Sequence, residues 1–256
     1  MKTASDFFLS SNIELTPRFS LLTFQGVVPE DVRPGQFVQV KVDDSSTTFL
    51  RRPISINSAD SATGTLRLLI RRAGAGTNRL CDLRPGAKVN MILPLGNGFS
   101  VPDAPSTRAL LVGGGVGVAP MMMLGRAMVV KGIKPTFLLA ARNESELLLL
   151  DEFKTLGDVL VATDDGSCGE RCFAHMHSAL AQPGSWDRIY CCGPAPMMKG
   201  VASAARAIGA DCEVSLENMM ACGLGACLCC VEKTVRGNVC VCTEGPVFNI
   251  NELTWE

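Results

Sequence analysis

Histidine is nearly absent from this chain: His175 and His177 are its only two in 256 residues. That scarcity excludes a histidine-rich metal site and argues against most chemistry resting on an imidazole acid or base. Both are expected on the surface, with no catalytic part. Charge of one sign is also lacking, with 24 Lys and Arg against 25 Asp and Glu. No basic stretch stands out, so nucleic acid is not an expected partner. Long apolar runs are missing as well. The longest, around Ala109–Val118, is interrupted by glycines and too short for a bilayer span, so no membrane partner is expected. The opening residues Met1-Lys2-Thr3-Ala4-Ser5-Asp6 lack the apolar core and cleavage site of a secretory signal. A soluble, cytoplasmic protein is the expectation.

Cysteine, by contrast, is plentiful. Seven of the 12 cysteines fall between Cys212 and Cys242. A disulfide framework belongs to small secreted domains, and nothing here signals secretion, so clustered thiols read as metal ligands. Apolar residues make up 47% of the chain, enough for one large core or two to three modest ones.

Three textures follow one another. Residues 1–103 show short apolar or alternating runs (Ser20–Phe24, Gln36–Val42, Thr65–Ile70, Lys88–Ile92) broken at Pro34-Gly35 and Pro85-Gly86, the pattern of a small antiparallel barrel. Residues 104–210 alternate buried strands (Ala109–Val112, Thr136–Ala140, Val159–Ala162, Arg188–Cys191) with helices (Met121–Val130, Met197–Ile208), which implies a parallel α/β sheet. Residues 211–256 are dense in Cys and Gly and too short to fold on a core of their own, so a metal staple fits. The expected fold is multi-domain: barrel, α/β sheet, small metal-bound tail.

The tail carries the sharpest motif. Cys222, Cys227 and Cys230, with Cys242 further on, have the C-x4-C-x2-C…C spacing of a plant-type 2Fe–2S site. Gly223 and Gly225 permit the tight backbone that lets amide N–H groups point at sulfur. Zinc is the competing reading, since Cys227-x-x-Cys230 could pair with Cys240 and Cys242, but a zinc ribbon uses two CxxC knuckles and Cys240-Val-Cys242 is not one. Strand alternation puts Cys240 and Cys242 on one face, so spacing leaves the fourth ligand open between them.

Upstream, Ala109–Val112 runs into Gly113, Gly114, Gly115, Val116, Gly117 and on to Pro120: a strand, a glycine turn and a helix start, suited to a pyrophosphate. The spacing departs from the full GxGxxG fingerprint, and a turn that merely packs helix on strand is the plainer reading. Arg51-Arg52-Pro53-Ile54-Ser55 joins two apolar runs, and Gly74-Ala75-Gly76-Thr77 precedes a helix-like stretch (Asn78–Leu83). An arginine and a Gly-Thr helix start are natural phosphate ligands, though each is also ordinary as solvated charge or N-cap.

In order, these features resemble the ferredoxin–NADP reductase superfamily with a ferredoxin-like C-terminal module. Within it the similarity is greatest to the family of electron-transfer subunits of NAD-linked dihydroorotate dehydrogenases. The resembling stretches are Arg52–Ser55, Pro94–Phe99, Gly113–Pro120, Thr163–Ser167, Cys192–Met197, Glu217–Cys230 and Cys242–Phe248, covering essentially the whole chain. The resemblance implies FAD in the barrel. Arg52 would sit at the pyrophosphate, Pro53, Ile54 and Ser55 by the ring, Leu69, Ile70 and Arg71 along it, and Gly76 and Thr77 at phosphate. NAD would be held by Gly113, Gly114, Gly115 and Gly117, by Asp164 and Asp165, whose charge disfavours a 2′-phosphate, and by Cys192 and Gly193. The 2Fe–2S cluster would be held by Cys222, Cys227, Cys230 and Cys242. No residue need act as acid or base. Ile54 stands where many superfamily members have Tyr, and Cys229 is an extra thiol, expected as a small buried hydrophobe. The implied partner is an FMN-containing catalytic subunit that oxidises dihydroorotate, in a heterotetramer, with electrons passing by way of cluster and FAD to NAD+ in pyrimidine biosynthesis. Two alternatives are a ferredoxin:NAD(P) or sulfide-type reductase subunit of the same architecture, and a non-enzymatic cluster-binding redox sensor.

Overall fold

Two Pro-Gly pairs decide where barrel strands begin. Proline presets the second position of a turn, and glycine accepts the positive φ of the third. Gly35 and Gly86 both lie at φ +91°. Their turns close with Gln36 N–H donating to Arg33 O and Ala87 N–H to Arg84 O. In the computed structural model, which describes residues 2–43, 45 and 47–255, these turns launch β3 (Phe37–Val40) and β6 (Lys88–Leu95). With β1 (Thr3–Thr16), β2 (Phe19–Gln25), β4 (Arg52–Asp60) and β5 (Thr65–Arg71) they close a barrel in the order β1-β2-β5-β4-β3-β6. Met1 and Glu256, the outer ends of the expected first and last segments, lie outside the described residues.

Arg52–Ser55, expected as a link, is the first half of β4. Its residues pair with β3 from Val40↔Arg52 to Phe37↔Ser55, while pairing with β5 starts only at Ile56↔Leu68. Pro53, with no N–H to donate, therefore sits where the strand has one neighbour only. Alternation along β3 matters later. Val38 and Val40 point into the barrel core, whereas Phe37 packs outward against the sheet.

The second half alternates β7 (Ala109–Gly114), α2 (Val118–Val130), β8 (Thr136–Ala141), α3 (Leu150–Lys154), β9 (Asp158–Thr163), β10 (Glu170–Arg171), β11 (Arg188–Cys192) and α4 (Ala195–Ile208). The tail contributes β12 (Asp211–Ser215), a small hairpin β13 (Val231–Thr234) and β14 (Gly237–Cys240), a short helix α5 (Val241–Glu244) and β15 (Val247–Asn249). The sheet runs β10-β9-β8-β7-β11-β12-β15, parallel except for β15, so it does not stop at residue 210. One core joins Phe37 and Leu95 of the barrel, Leu110, Val112 and Ile189 of the sheet, and Cys230, Val241, Cys242 and Phe248 of the tail. The tail thus borrows its apolar burial from the sheet, and burying a residue such as Phe248 is worth about 1.5–3 kcal/mol.

Ion pairs hold the barrel to the sheet. Arg67 on β5 donates to both carboxylate oxygens of Glu152 on α3, at 2.8 and 2.7 Å, and Arg126 reaches the same carboxylate at 3.3 Å. The Arg67 hydrogen bonds hold the Glu152 carboxyl below the usual glutamate range. Being partly exposed, the pair contributes about 1 kcal/mol at most. Tyr190, wholly buried, donates to Ser100 O at 2.9 Å and meets Phe99 edge-on.

Candidate flavin, nicotinamide and cluster sites

The carboxyl ends of β7, β8, β9 and β11 open onto a cleft of about 400 Å³. Ligands bind at this end of open parallel sheets, because there the strands stop and loops diverge. Gly114 and Gly115 line it from the β7 turn, Arg142 and Asp164 from the ends of β8 and β9, and Pro194 and Met197 from the start of α4. The glycines of the turn divide into two kinds. A Cβ on Gly113 would lie 2.9 Å from Val118, one on Gly114 2.5 Å from Met197, and one on Gly117 2.2 Å from Cys192 O. These three are fixed by packing, as the plainer reading of the turn had it. Gly115, at φ +56°, has nothing within 4 Å and faces the cleft. The two expected aspartates separate as well. Asp164 lines the cleft, while Asp165 accepts from the Ser167 N–H at 2.9 Å and its hydroxyl at 2.6 Å, which lowers its pKa.

A second, smaller cleft of about 200 Å³ lies between barrel and tail. Phe37, Pro53, Ile54, Ser55, Leu69 and Arg71 line it from the barrel, with Leu216, Asn218 and Met220 from the tail. Ile70, between two lining residues, turns its side chain into the barrel core. Arg52 lies outside this cleft, beside α1 (Ala75–Cys81), where a Cβ on Gly76 would come 2.6 Å from its Nε. The Thr77 hydroxyl is occupied within its own helix start, accepting from Ala73 and Gly74 N–H and donating to Gly74 O.

The two clefts share a wall of Arg71, Val116 and Glu217. Glu217 is exposed and opens onto both clefts, and the protein packed around its carboxyl still pushes that pKa up by desolvation, offset in part by Arg71. The Cys192 thiol is 4.0 Å from its Oε1. Glu217 stands in the Glu-Asn-Met-Met-Ala-Cys stretch but carries no sequence signal of its own. Phe173 and His175 were likewise missed. Their rings lie parallel, 3° apart with centroids 6.1 Å apart, at the larger cleft.

The histidine expectation needs correction. His177 is buried, its Nδ1 accepting from Ala179 N–H and its Nε2 3.4 Å from Glu170, and burial lowers its pKa. His175 is half-buried, and its Nδ1 has no partner among the described residues.

In the tail, amide hydrogens converge on sulfur. Leu224 N–H donates to Cys222 Sγ at 3.3 Å, Gly225 N–H to Cys242 Sγ at 3.2 Å and Cys242 N–H to Cys230 Sγ at 3.4 Å. The Leu224 amide leads the groups that bring the Cys222 thiol down to about 6, while burial drives Cys242 up to about 12. Cys222 interacts with Cys227, and Cys230 with both Cys242 and Cys240. Among the described residues no three Cys, His, Asp or Glu side chains converge on one ion position. A zinc ion wants four donors round one point, whereas each iron of a 2Fe–2S cluster takes two thiolates, so thiols spread over more than one ion position are compatible with the cluster. Cys229 corrects its expectation. Leu228 at φ +57° turns the loop, and Cys229 is exposed rather than buried.

A barrel set against the ligand end of a parallel sheet, with a loop of paired thiols beside it, defines an oxidoreductase module that handles a nicotinamide nucleotide and an iron–sulfur cluster. Residues 111–203 match the oxidoreductase NAD-binding domain, and residues 217–254 match the iron-sulfur cluster binding domain of dihydroorotate dehydrogenase B. The chain is 40% identical to the dihydroorotate dehydrogenase B (NAD(+)) electron transfer subunit of Shouchella clausii, covering 86% of each, and 34% identical to that of Fusobacterium nucleatum, covering 98% of each. It belongs to the family of dihydroorotate dehydrogenase B electron transfer subunits. Among solved structures it superposes with TM-score 0.87 at 27% identity on an NADH-dependent reduced ferredoxin-NADP oxidoreductase described for flavin-based electron bifurcation, covering 97% of this chain and 90% of that one. The FAD/NAD binding domain of a Vibrio cholerae nitric oxide dioxygenase shares the fold, with TM-score 0.67 at 20% identity. Among the described residues no helix is long and apolar enough to cross a membrane.

Proposed function

We propose that the chain is the electron-transfer component of an NAD-linked dihydroorotate dehydrogenase. It would connect the FMN of a catalytic subunit, in a heterotetramer, to NAD+ through a 2Fe–2S cluster and FAD. The barrel unit (1–103) would hold FAD, the sheet unit (104–210) NAD, and the tail unit (211–256) the cluster. The observation that carries this reading is the shared wall of the two clefts at Arg71, Val116 and Glu217. A ring seated against Ser55 and Leu69 and a nicotinamide seated against Gly115 and Cys192 would meet across that wall. When bound, the cluster supplies one-electron exchange and the flavin couples it to the two-electron chemistry of the nicotinamide.

The side chains bind, orient and exclude water. Arg52 and Gly76 would receive the flavin pyrophosphate, with Thr77 fixing the helix start behind them, and Pro53, Ile54, Leu69, Ile70 and Arg71 would bound the ring. Gly113, Gly114 and Gly117 shape the turn that would let Gly115 approach the dinucleotide, and Gly193, where a Cβ would lie 2.5 Å from Met197 Cε and 3.3 Å from Gly114, packs behind it. Asp164 would refuse a 2′-phosphate by charge, with Asp165 bracing the turn beside it. Cys222 and Cys227 would take one iron, Cys230 and Cys242 the other. None of the twelve cysteines forms a disulfide among the described residues, which fits work in a reducing cytoplasm.

The test is an absorption and EPR spectrum of the anaerobically purified chain, followed by reconstitution with a dihydroorotate-oxidising flavoprotein. Bound FAD, a reducible 2Fe–2S signal and NAD-linked orotate formation are expected. Cluster and flavin without orotate formation would favour a reductase serving another partner, and the absence of flavin would favour a redox sensor.

A further inference from the structure

Two glutamines of the barrel stand three residues apart and differ in one respect. Gln36, buried, has both ends of its carboxamide used: Oε1 accepts from Arg33 N–H at 2.7 Å and Nε2 donates to Gly96 O at 2.7 Å. Gln39 is more deeply buried, with no exposed surface, and neither its Nε2 nor its Oε1 has a partner among the described residues. Buried amides left wholly unpaired are rare in native structures, and each asks for an explanation.

Its position supplies one. Gln39 follows Phe37 on the outward face of β3, one alternation along, and its backbone is pinned by Arg51, which donates to its carbonyl at 3.2 Å. Phe37 lines the cleft assigned to the flavin ring. The Gln39 side chain instead lies under the thiol loop. A Cβ on Gly223, next to Cys222, would stand 2.6 Å from Nε2 and 3.0 Å from Cδ. Gly223, at φ +70°, is thus a glycine for two reasons, its backbone and the carboxamide beneath it. The unpaired amide thus stands against the residue next to Cys222.

We propose that Gln39 is a positioning residue for the 2Fe–2S site, its Nε2–H donating to sulfur on the Cys222 side of the cluster. Resting as it does on the cluster reading above, the inference adds a barrel residue that no spacing motif marks. Donors to sulfur stabilise the more negative, reduced form and so raise the reduction potential.

The full-length chain, purified anaerobically, is titrated by EPR-monitored redox poise as wild type, Gln39→Met and Gln39→Glu. Gln39→Met keeps the volume without the donor. It is expected to retain FAD absorbance and the cluster signal, while the oxidised-to-reduced ratio at fixed poise rises about tenfold, a negative shift of about 59 mV for a one-electron couple. In Gln39→Glu the shift deepens at high pH and recedes as the carboxyl protonates and regains a donor. Variants that load the cluster and titrate at the wild-type potential overturn the proposal. So does a folded, flavin-containing Gln39→Met without cluster when Gln39→Glu loads normally at the wild-type potential. A wild-type chain with no cluster signal would instead sink the reading of the tail as an iron–sulfur site.

Discussion

The nicotinamide-side cleft and the thiol loop are built by opposite means. The cleft rests on four parallel strands whose ladders and core fix its floor before any ligand arrives. The loop from Leu216 to Cys230 has no ladder of its own and is shaped by N–H groups aimed at sulfur. The first site is preformed by packing, the second organised round what it binds. Preformed sites lose affinity when a packing atom moves; ligand-organised ones lose their structure when the ligand goes.

That contrast is most exposed by removing a tail ligand. Cys230→Ser is expected to abolish the cluster and to raise amide exchange in residues 216–230 by about a hundredfold or more, with β7 and β11 still protected. Hydrogen exchange read by mass spectrometry checks this, and equal loss of protection in both regions would break the contrast. A smaller effect is expected from Gly117→Ala. Its Cβ would sit 2.2 Å from Cys192 O, so the turn must shift, at about 1–3 kcal/mol of stability and with weaker NAD binding. Urea denaturation and calorimetric titration measure both; unchanged values would mean the turn is softer than its packing implies. The smallest effect concerns His177, at the sheet edge away from both sites. Burial lowers its folded pKa below the unfolded value of about 6.5. At acid pH the unfolded chain therefore binds the proton more readily, so its contribution is complete above about pH 6.5 and declines as pH falls. His177→Gln should flatten that part of the stability profile by about 1 kcal/mol or less, as read from denaturant midpoints across pH 5–8.

Much of the fold was legible because its signals are local. The runs at Thr65, Lys88, Ala109 and Thr136 became strands β5, β6, β7 and β8 with ends within a few residues of expectation. Strand β1 was not foreseen, since only Phe7 and Leu9 of its residues are fully buried and its sequence is largely polar. The thiol spacing was legible for the same local reason. Gln39 and Glu217 were not, because each draws its part from neighbours distant in sequence, and Phe173 and His175 were not, because only the fold brings their stacked pair to the cleft. Cys229 misled because thiols are usually buried, while a positive φ at Leu228 decides otherwise here.

Ser215 and Val247 are register partners, and Leu216 N–H donates to Pro246 O at 2.9 Å. The chain therefore leaves the sheet and re-enters it through one doorway, and everything between hangs from adjacent strands as a cassette. Such an excursion can be gained or lost in one event without re-registering any other strand. On this plan a bare reductase and a wired one are separated by the 31 residues from Leu216 to Pro246.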